Sequence, residues 1–60
     1  MNLYSYIGRK VKINVEQEGR LLTYNAIIVL SDGEQTTFTD KFGKEITVPS
    51  EAIKMLEVDA

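Results

Sequence analysis

Sixty residues, seven basic and nine acidic, carry a net charge of −2 and include neither cysteine nor histidine. A chain this short makes one small domain, spanning residues 1–60, which buries only about 60% of the surface its unfolded form exposes. The missing cysteines exclude disulfides and thiolate metal sites, and the missing histidines remove the commonest metal ligand and general base.

Apolar residues make up 43% of the chain, enough for a core. No apolar run approaches the ~20 residues that span a bilayer, and no signal-peptide pattern opens the chain. The expectation is a cytoplasmic protein with no cofactor, no metal and no small-molecule substrate. Without a disulfide or metal, stability must come from a tightly packed core, or from one completed by a partner or a second copy.

In chain order, Asn2 is placed to cap a single helical turn from Leu3 to Ile7, ended by Gly8, with Leu3 and Ile7 on one face. From Lys10 the period changes to two: Val11, Ile13 and Val15 point one way, Lys10, Lys12, Asn14 and Glu16 the other. This predicts a half-buried strand. A Glu18-Gly19 turn leads into a long second strand, Arg20 to Leu30, ended by Ser31-Asp32-Gly33-Glu34. Asp-Gly between two β-prone segments signals a hairpin. The third strand is Gln35 to Thr39 and the fourth Lys44 to Val48, joined by a tight turn at Asp40-Lys41-Phe42-Gly43. Pro49 interrupts the ladder, Ser50-Glu51-Ala52 suit one turn of 3₁₀ helix, and Ile53 to Val58 form the fifth strand.

Turn lengths fix the pairings these strands are expected to make. A two-residue Glu18-Gly19 turn sets Val15 against Leu22, Ile13 against Tyr24 and Val11 against Ala26. A two-residue Asp32-Gly33 turn sets Ile27 against Phe38 and Val29 against Thr36. A three-residue Lys41-Phe42-Gly43 loop sets Phe38 against Ile46 and Thr36 against Val48. The second strand then buries even positions early and odd positions late, which requires a bend near Asn25 and Ala26. A three-residue Gln17-Glu18-Gly19 loop would remove the switch but bury Thr23 and Asn25, so the bent strand is the expectation.

Five short strands, a bent second strand and a 3₁₀ turn before the last resemble the small barrels of the Src-homology-3-like and Sm-like types. The tail from Val48 to Leu56 is similar to the end of a Src-homology-3 domain, and Leu3-Tyr4-Ser5-Tyr6 to the Leu-Tyr-Asp-Tyr segment that opens one. The resemblance implies that Tyr4, Tyr6 and Pro49 line a peptide groove. The chain departs from that family in having no tryptophan, in carrying Ala52 where the groove tyrosine stands, and in lacking the long acidic loop. The resemblance therefore implies topology rather than recognition of proline-rich peptides. The Sm-like resemblance rests on the short helical turn and bent second strand, and implies RNA binding and ring assembly.

Among single residues Phe42 is the most informative. In a tight turn between Lys41 and Lys44, its ring is expected either to project toward a partner or to fold back over the hairpin. Ile28 and Leu30 fall opposite the expected core, which predicts an apolar surface covered by the N-terminal turn or by a second copy. Arg9, Lys10 and Lys12 cluster at the start of the first strand, a pattern of solvated edge lysines that also suits an anionic partner. Glu51, Glu57 and Asp59, with Asp40 and Glu45, are expected to be solvated, since a barrel this small has no pocket to tune a catalytic pair. Ser31, Ser50 and Thr36, Thr37 and Thr39 have no histidine partner, so catalysis is not expected.

The sequence thus predicts an all-β, five-stranded, partly open barrel acting as a non-catalytic interaction module, with Phe42, Ile28, Leu30, Tyr4 and Tyr6 as contacts to a protein partner or a second copy. The alternative is a nucleic-acid-binding barrel using Arg9, Lys10, Lys12, Lys41 and Lys44 beside Phe42. The net charge of −2 weighs against it.

Overall fold

The computed structural model describes residues 1–58. It is all-β: five antiparallel strands form one sheet, β1 (Lys10–Gln17), β2 (Arg20–Ser31), β3 (Gln35–Thr39), β4 (Glu45–Pro49) and β5 (Ile53–Val58). Their order across the sheet is β4-β3-β2-β1-β5, so β4 and β5 are its two edges and the sheet is not closed by pairing between them. Single 3₁₀ turns precede β1 (Tyr4–Tyr6) and link β4 to β5 (Ser50–Ala52). Asn2 accepts the Tyr4 N–H through its side-chain oxygen, and Gly8 ends the segment with φ of 84°. Leu3 and Ile7 do not share a fate: Leu3 is buried and Ile7 exposed.

The period-two pattern of β1 places Val11, Ile13 and Val15 in the core and leaves Lys10, Lys12 and Glu16 exposed. Each of these core side chains meets the partner its turn length dictates. Val15 faces Leu22, Ile13 faces Tyr24 and Val11 faces Ala26 across the Glu18-Gly19 hairpin. Phe38 faces Ile46 and Thr36 faces Val48 across the β3–β4 loop. Leu3, Ala26, Ile28, Phe38, Val48 and Ile53 complete the core, with Tyr24, Ile46 and Leu56 packed at its margin.

Both central residues of the β1–β2 turn have positive φ, 52° at Glu18 and 77° at Gly19, the left-handed pair that matches the twist of a two-residue hairpin. Glycine adopts this backbone freely, whereas glutamate is strained there, and asparagine is the residue that tolerates it best. Glu18→Asn is therefore expected to stabilise the fold by about 0.5–1 kcal/mol. A urea midpoint equal to or below that of the parent chain would count against a strained turn.

The β2–β3 pairing corrects the expected register. Ile28, not Ile27, faces Phe38, Ile27 faces Thr39, and Thr36 faces Ser31 rather than Val29. Two local causes act together. Asp32-Gly33 is not a two-residue turn. The Asp32 carboxylate accepts the N–H groups of Glu34 and Gln35 at 2.8 and 2.9 Å, and this holds a longer loop between Ser31 and Thr36. The pairing also shifts between Ile28 and Leu30, a bulge at Val29. The change from even to odd buried positions thus occurs at Val29 instead of Asn25 and Ala26. Ala26 and Ile28 lie inside, Ile27 and Val29 lie outside, and burial resumes at Ser31.

Ser31 belongs to a buried chain of hydroxyls. Leu3 N–H donates to Ser31 Oγ at 2.8 Å; Ser31 and Thr36 hydroxyls are 2.8 Å apart, as are those of Thr36 and Ser50. Ser50 Oγ donates to the Asp32 carbonyl at 2.6 Å. A carbonyl can only accept, so the Ser50 proton is committed to Asp32 and every link upstream has one polarity. Leu3 donates to Ser31, Ser31 to Thr36, and Thr36 to Ser50. The Met1 ammonium and the Ser50 N–H add backbone ties, to Ser50 O and Glu34 O respectively. The N-terminal segment, the β2–β3 hairpin and the second 3₁₀ turn are held together through this chain.

Candidate functional site

The loop joining β3 to β4 is built around Asp40. Its carboxylate accepts the N–H groups of Phe42 and Lys44 at 2.8 and 2.9 Å, and its carbonyl accepts the Gly43 N–H at 3.0 Å. The Asp40 N–H donates to Lys44 O at 2.9 Å, and Gly43 turns the chain with φ of 81°. With the N–H groups of Asp40, Phe42, Gly43 and Lys44 satisfied within it, the loop is a braced platform. It lifts Phe42 into solvent at 83% exposure, with Lys41 Nζ 5.2 Å from the ring centroid. Of the two placements expected for Phe42, the projecting one is found.

Behind this platform lies an open groove. One part runs between Thr23, Tyr24 and Asn25 of β2 and Asp40, Lys41 and Phe42 of the loop. An adjoining part is lined by Lys10, Asn25, Ile27, Thr39 and Lys41. Lys12 sits directly across from Asn25 on the same exposed face. The fold therefore brings Lys10 and Lys41 together along the groove that Phe42 borders, although they come from opposite parts of the chain, whereas Lys12 faces Glu57 of β5 on its other side. Arg9 stands apart, its guanidinium 5.8 Å from the Tyr6 ring centroid. Lys44 is exposed in the loop, and its N–H and carbonyl both bond to Asp40.

The remaining predicted contacts divide. Tyr4 is exposed and Tyr6 half-buried, while Leu30 is 54% exposed beside exposed Ile27 and Val29. The expectation that Ile28 belongs to the surface is corrected: it is 1% exposed and lies in the core opposite Phe38. The Val29 bulge moves it there, and the same bulge exposes Ile27 and Val29, which were expected inside. Thr23 and Asn25 were not distinguished by residue type. Their signal lies in strand length, since a second strand so much longer than the third must overhang it.

Asp59 falls outside the described residues, and among those described no group of three or more Asp or Glu side chains gathers that could hold a metal. The buried hydroxyls of Ser31, Thr36 and Ser50 are occupied by one another and by the Asp32 carbonyl. No helix among the described residues is long and apolar enough to cross a membrane.

The fold alters the acidity of Asp32. The N–H groups of Gln35, first, and of Glu34 hold its carboxyl below the usual carboxylate range. A carboxyl whose folded pKa is depressed contributes stability above its unfolded pKa, and loses it as pH falls through the folded value. The β2–β3 loop is thus expected to loosen in acid, below the ordinary aspartate range. A side-chain NMR titration should place the Asp32 midpoint lower than in the urea-unfolded chain; equal midpoints would show that the carboxylate does not brace the loop.

No family model matches this chain, and no curated protein matches it.

Proposed function

We propose that this chain is a small non-catalytic binding module, a partly open barrel of the Src-homology-3-like or Sm-like type, that docks a protein partner on the face carrying Phe42. The observation that carries this reading is the placement of Phe42. A large apolar ring is held almost wholly in solvent on a loop whose backbone is fixed by Asp40. Exposing such a ring gains nothing for folding, whereas aromatic anchors on rigid supports dominate protein interfaces. The bulge in β2 and the two 3₁₀ turns support the barrel reading, with one face of the sheet carrying the core.

The full chain, used as bait in a lysate of its native host, is expected to capture a partner that the Phe42→Ala chain retains at least about tenfold less tightly. Calorimetry with the purified partner provides the comparison. Equal affinities for the two chains would remove Phe42 from the contact and this reading with it. A second copy of the chain is one such partner, with exposed Leu30 beside Val29 as the apolar surface. Light scattering that shows a monomer at high concentration would eliminate that form.

A second reading rests on Lys10 and Lys41 lying along the groove that Phe42 borders, an arrangement that suits single-stranded nucleic acid. Retention on a single-stranded oligonucleotide column that weakens steeply with salt would favour it over a protein partner.

A further inference from the structure

The two sides of β2 are not equally occupied. β1 accompanies it from Arg20 to Ile27, but β3 reaches back only as far as Ile27, where Thr39 pairs with it. The direction of the backbone groups in the overhang follows from Ile28, whose N–H donates to Arg9 O at 3.2 Å and whose carbonyl accepts the Gly8 N–H at 2.7 Å. Ile28 therefore directs both groups toward the β1 side. Consecutive residues of an antiparallel strand direct them to alternate edges. Ala26, Tyr24 and Leu22 also face β1, and Asn25, Thr23 and Leu21 face the other way, toward the edge that β3 never reaches.

The groove described above lies along that edge. Tyr24 belongs to the inner face, packed 5.1 Å from the Phe38 ring, whereas Thr23 and Asn25 belong to the outer face. All three line it opposite Lys41 and Phe42, so it follows the rim of the strand rather than either surface. Its volume is about 210 Å³. The Asp40 carboxylate is turned into its own loop to accept N–H groups, while Lys41 and Lys10 contribute positive charge to the adjoining walls.

Resting on the reading of the chain as a protein-binding module, we propose that this edge of β2 receives an extended acidic segment of the partner. The segment adds as a strand in line with β3, with a carboxylate toward Lys41 and an apolar side chain against Phe42. Strand addition to an open edge supplies affinity through main-chain hydrogen bonds and specificity through alternate side chains. A peptide backbone offers both donors and acceptors to Leu21, Thr23 and Asn25. A phosphodiester backbone has no donor for their carbonyls.

The test uses a phage-displayed library of random nine-residue peptides panned on the full chain, followed by titration of the enriched peptides into the ¹⁵N-labelled protein. Enrichment of sequences that alternate acidic and apolar residues is expected, with slowed hydrogen exchange at the Leu21, Thr23 and Asn25 amides. Lys41→Glu should keep the dispersed spectrum of the folded chain and weaken peptide binding about tenfold. Asn25→Pro removes one outward donor and should weaken it as well; if that variant fails to fold, Lys41→Glu and the exchange data decide. Enriched peptides without acids, or exchange unchanged at those three amides, would overturn the strand addition. So would binding of a ten-residue oligothymidylate in place of any peptide. A peptide that binds in a Phe42-dependent way elsewhere leaves the binding-module reading standing, whereas that reading itself fails only if capture from the host is indifferent to Phe42.

Discussion

Replacing Phe38 by alanine is expected to leave most of the chain unfolded in water at room temperature. Phe38 is fully buried, faces Ile28 on β2 and Ile46 on β4, and tilts its ring against Tyr24 at 5.1 Å. It is the largest of the fully buried side chains, and it joins both neighbours of β3 to the core. Truncating a buried phenylalanine to alanine costs about 3–5 kcal/mol, part transfer and part cavity. A domain of this length has only about 3–9 kcal/mol of stability in total, at roughly 0.05–0.15 kcal/mol per residue. The loss is therefore of the same size as the whole. Urea titration followed by far-ultraviolet circular dichroism should show no folded baseline for Phe38→Ala, while Phe38→Leu, which keeps much of the apolar volume, should retain a cooperative transition. A Phe38→Ala chain with a midpoint close to that of the parent would mean that the core is centred elsewhere.

The elements that were legible in the sequence are those whose turn residues leave one backbone solution. Glu18-Gly19 and Lys41-Phe42-Gly43 each end a strand with a glycine at positive φ, and both hairpins have the register that their loop lengths demand. Asp32-Gly33 offers the same two letters with different physics. Gly33 does not have positive φ, and the turn is organised by the Asp32 carboxylate reaching forward to Glu34 and Gln35. The side-chain oxygen thereby competes with the hairpin turn for the same backbone donors. Combined with the bulge at Val29, this exchanges the inside and outside positions along the end of β2. Ile28 was misplaced for that reason, and not because its residue type misled.

The candidate site was partly legible by the same logic. Phe42 and its lysines could be placed on a tight turn. Whether the ring projects or folds back over the hairpin is decided by the Asp40 bracing, which the sequence pattern does not reveal. Lys10 and Lys12 could be assigned to the solvent side of β1 by periodicity. The meeting of Lys10 with Lys41 required the pairing of Ile27 with both Lys10 and Thr39, a long-range consequence of the register that was misread. The overhanging edge of β2 carries no residue-type signature at all, since backbone groups are the same in every sequence.

The buried hydroxyl chain leads to the second large effect. Thr36→Val keeps the shape of the side chain and its β-branching but removes the middle link. The Ser31 hydroxyl then has no acceptor, and Ser50 Oγ loses the donor that complements its own bond to the Asp32 carbonyl. Thr36 is fully buried and water cannot replace it, so the cost is the desolvation of unpaired groups, about 1–3 kcal/mol. For a domain this small that corresponds to a fall of roughly 5–20 °C in the thermal midpoint. Thr37→Val supplies the control. The Thr37 hydroxyl meets that of Thr47 at 2.8 Å on the exposed face, where water can take over, and the midpoint should barely move. Because the links share one polarity, Ser50→Ala added to Thr36→Val should cost less than the two single changes together. Additive losses, or equal midpoints for the two threonine variants, would show three independent contacts instead of one directional chain. In that case the N-terminal segment would be held against the second 3₁₀ turn by Leu3 packing and the Met1 tie to Ser50 O, without help from the hydroxyls.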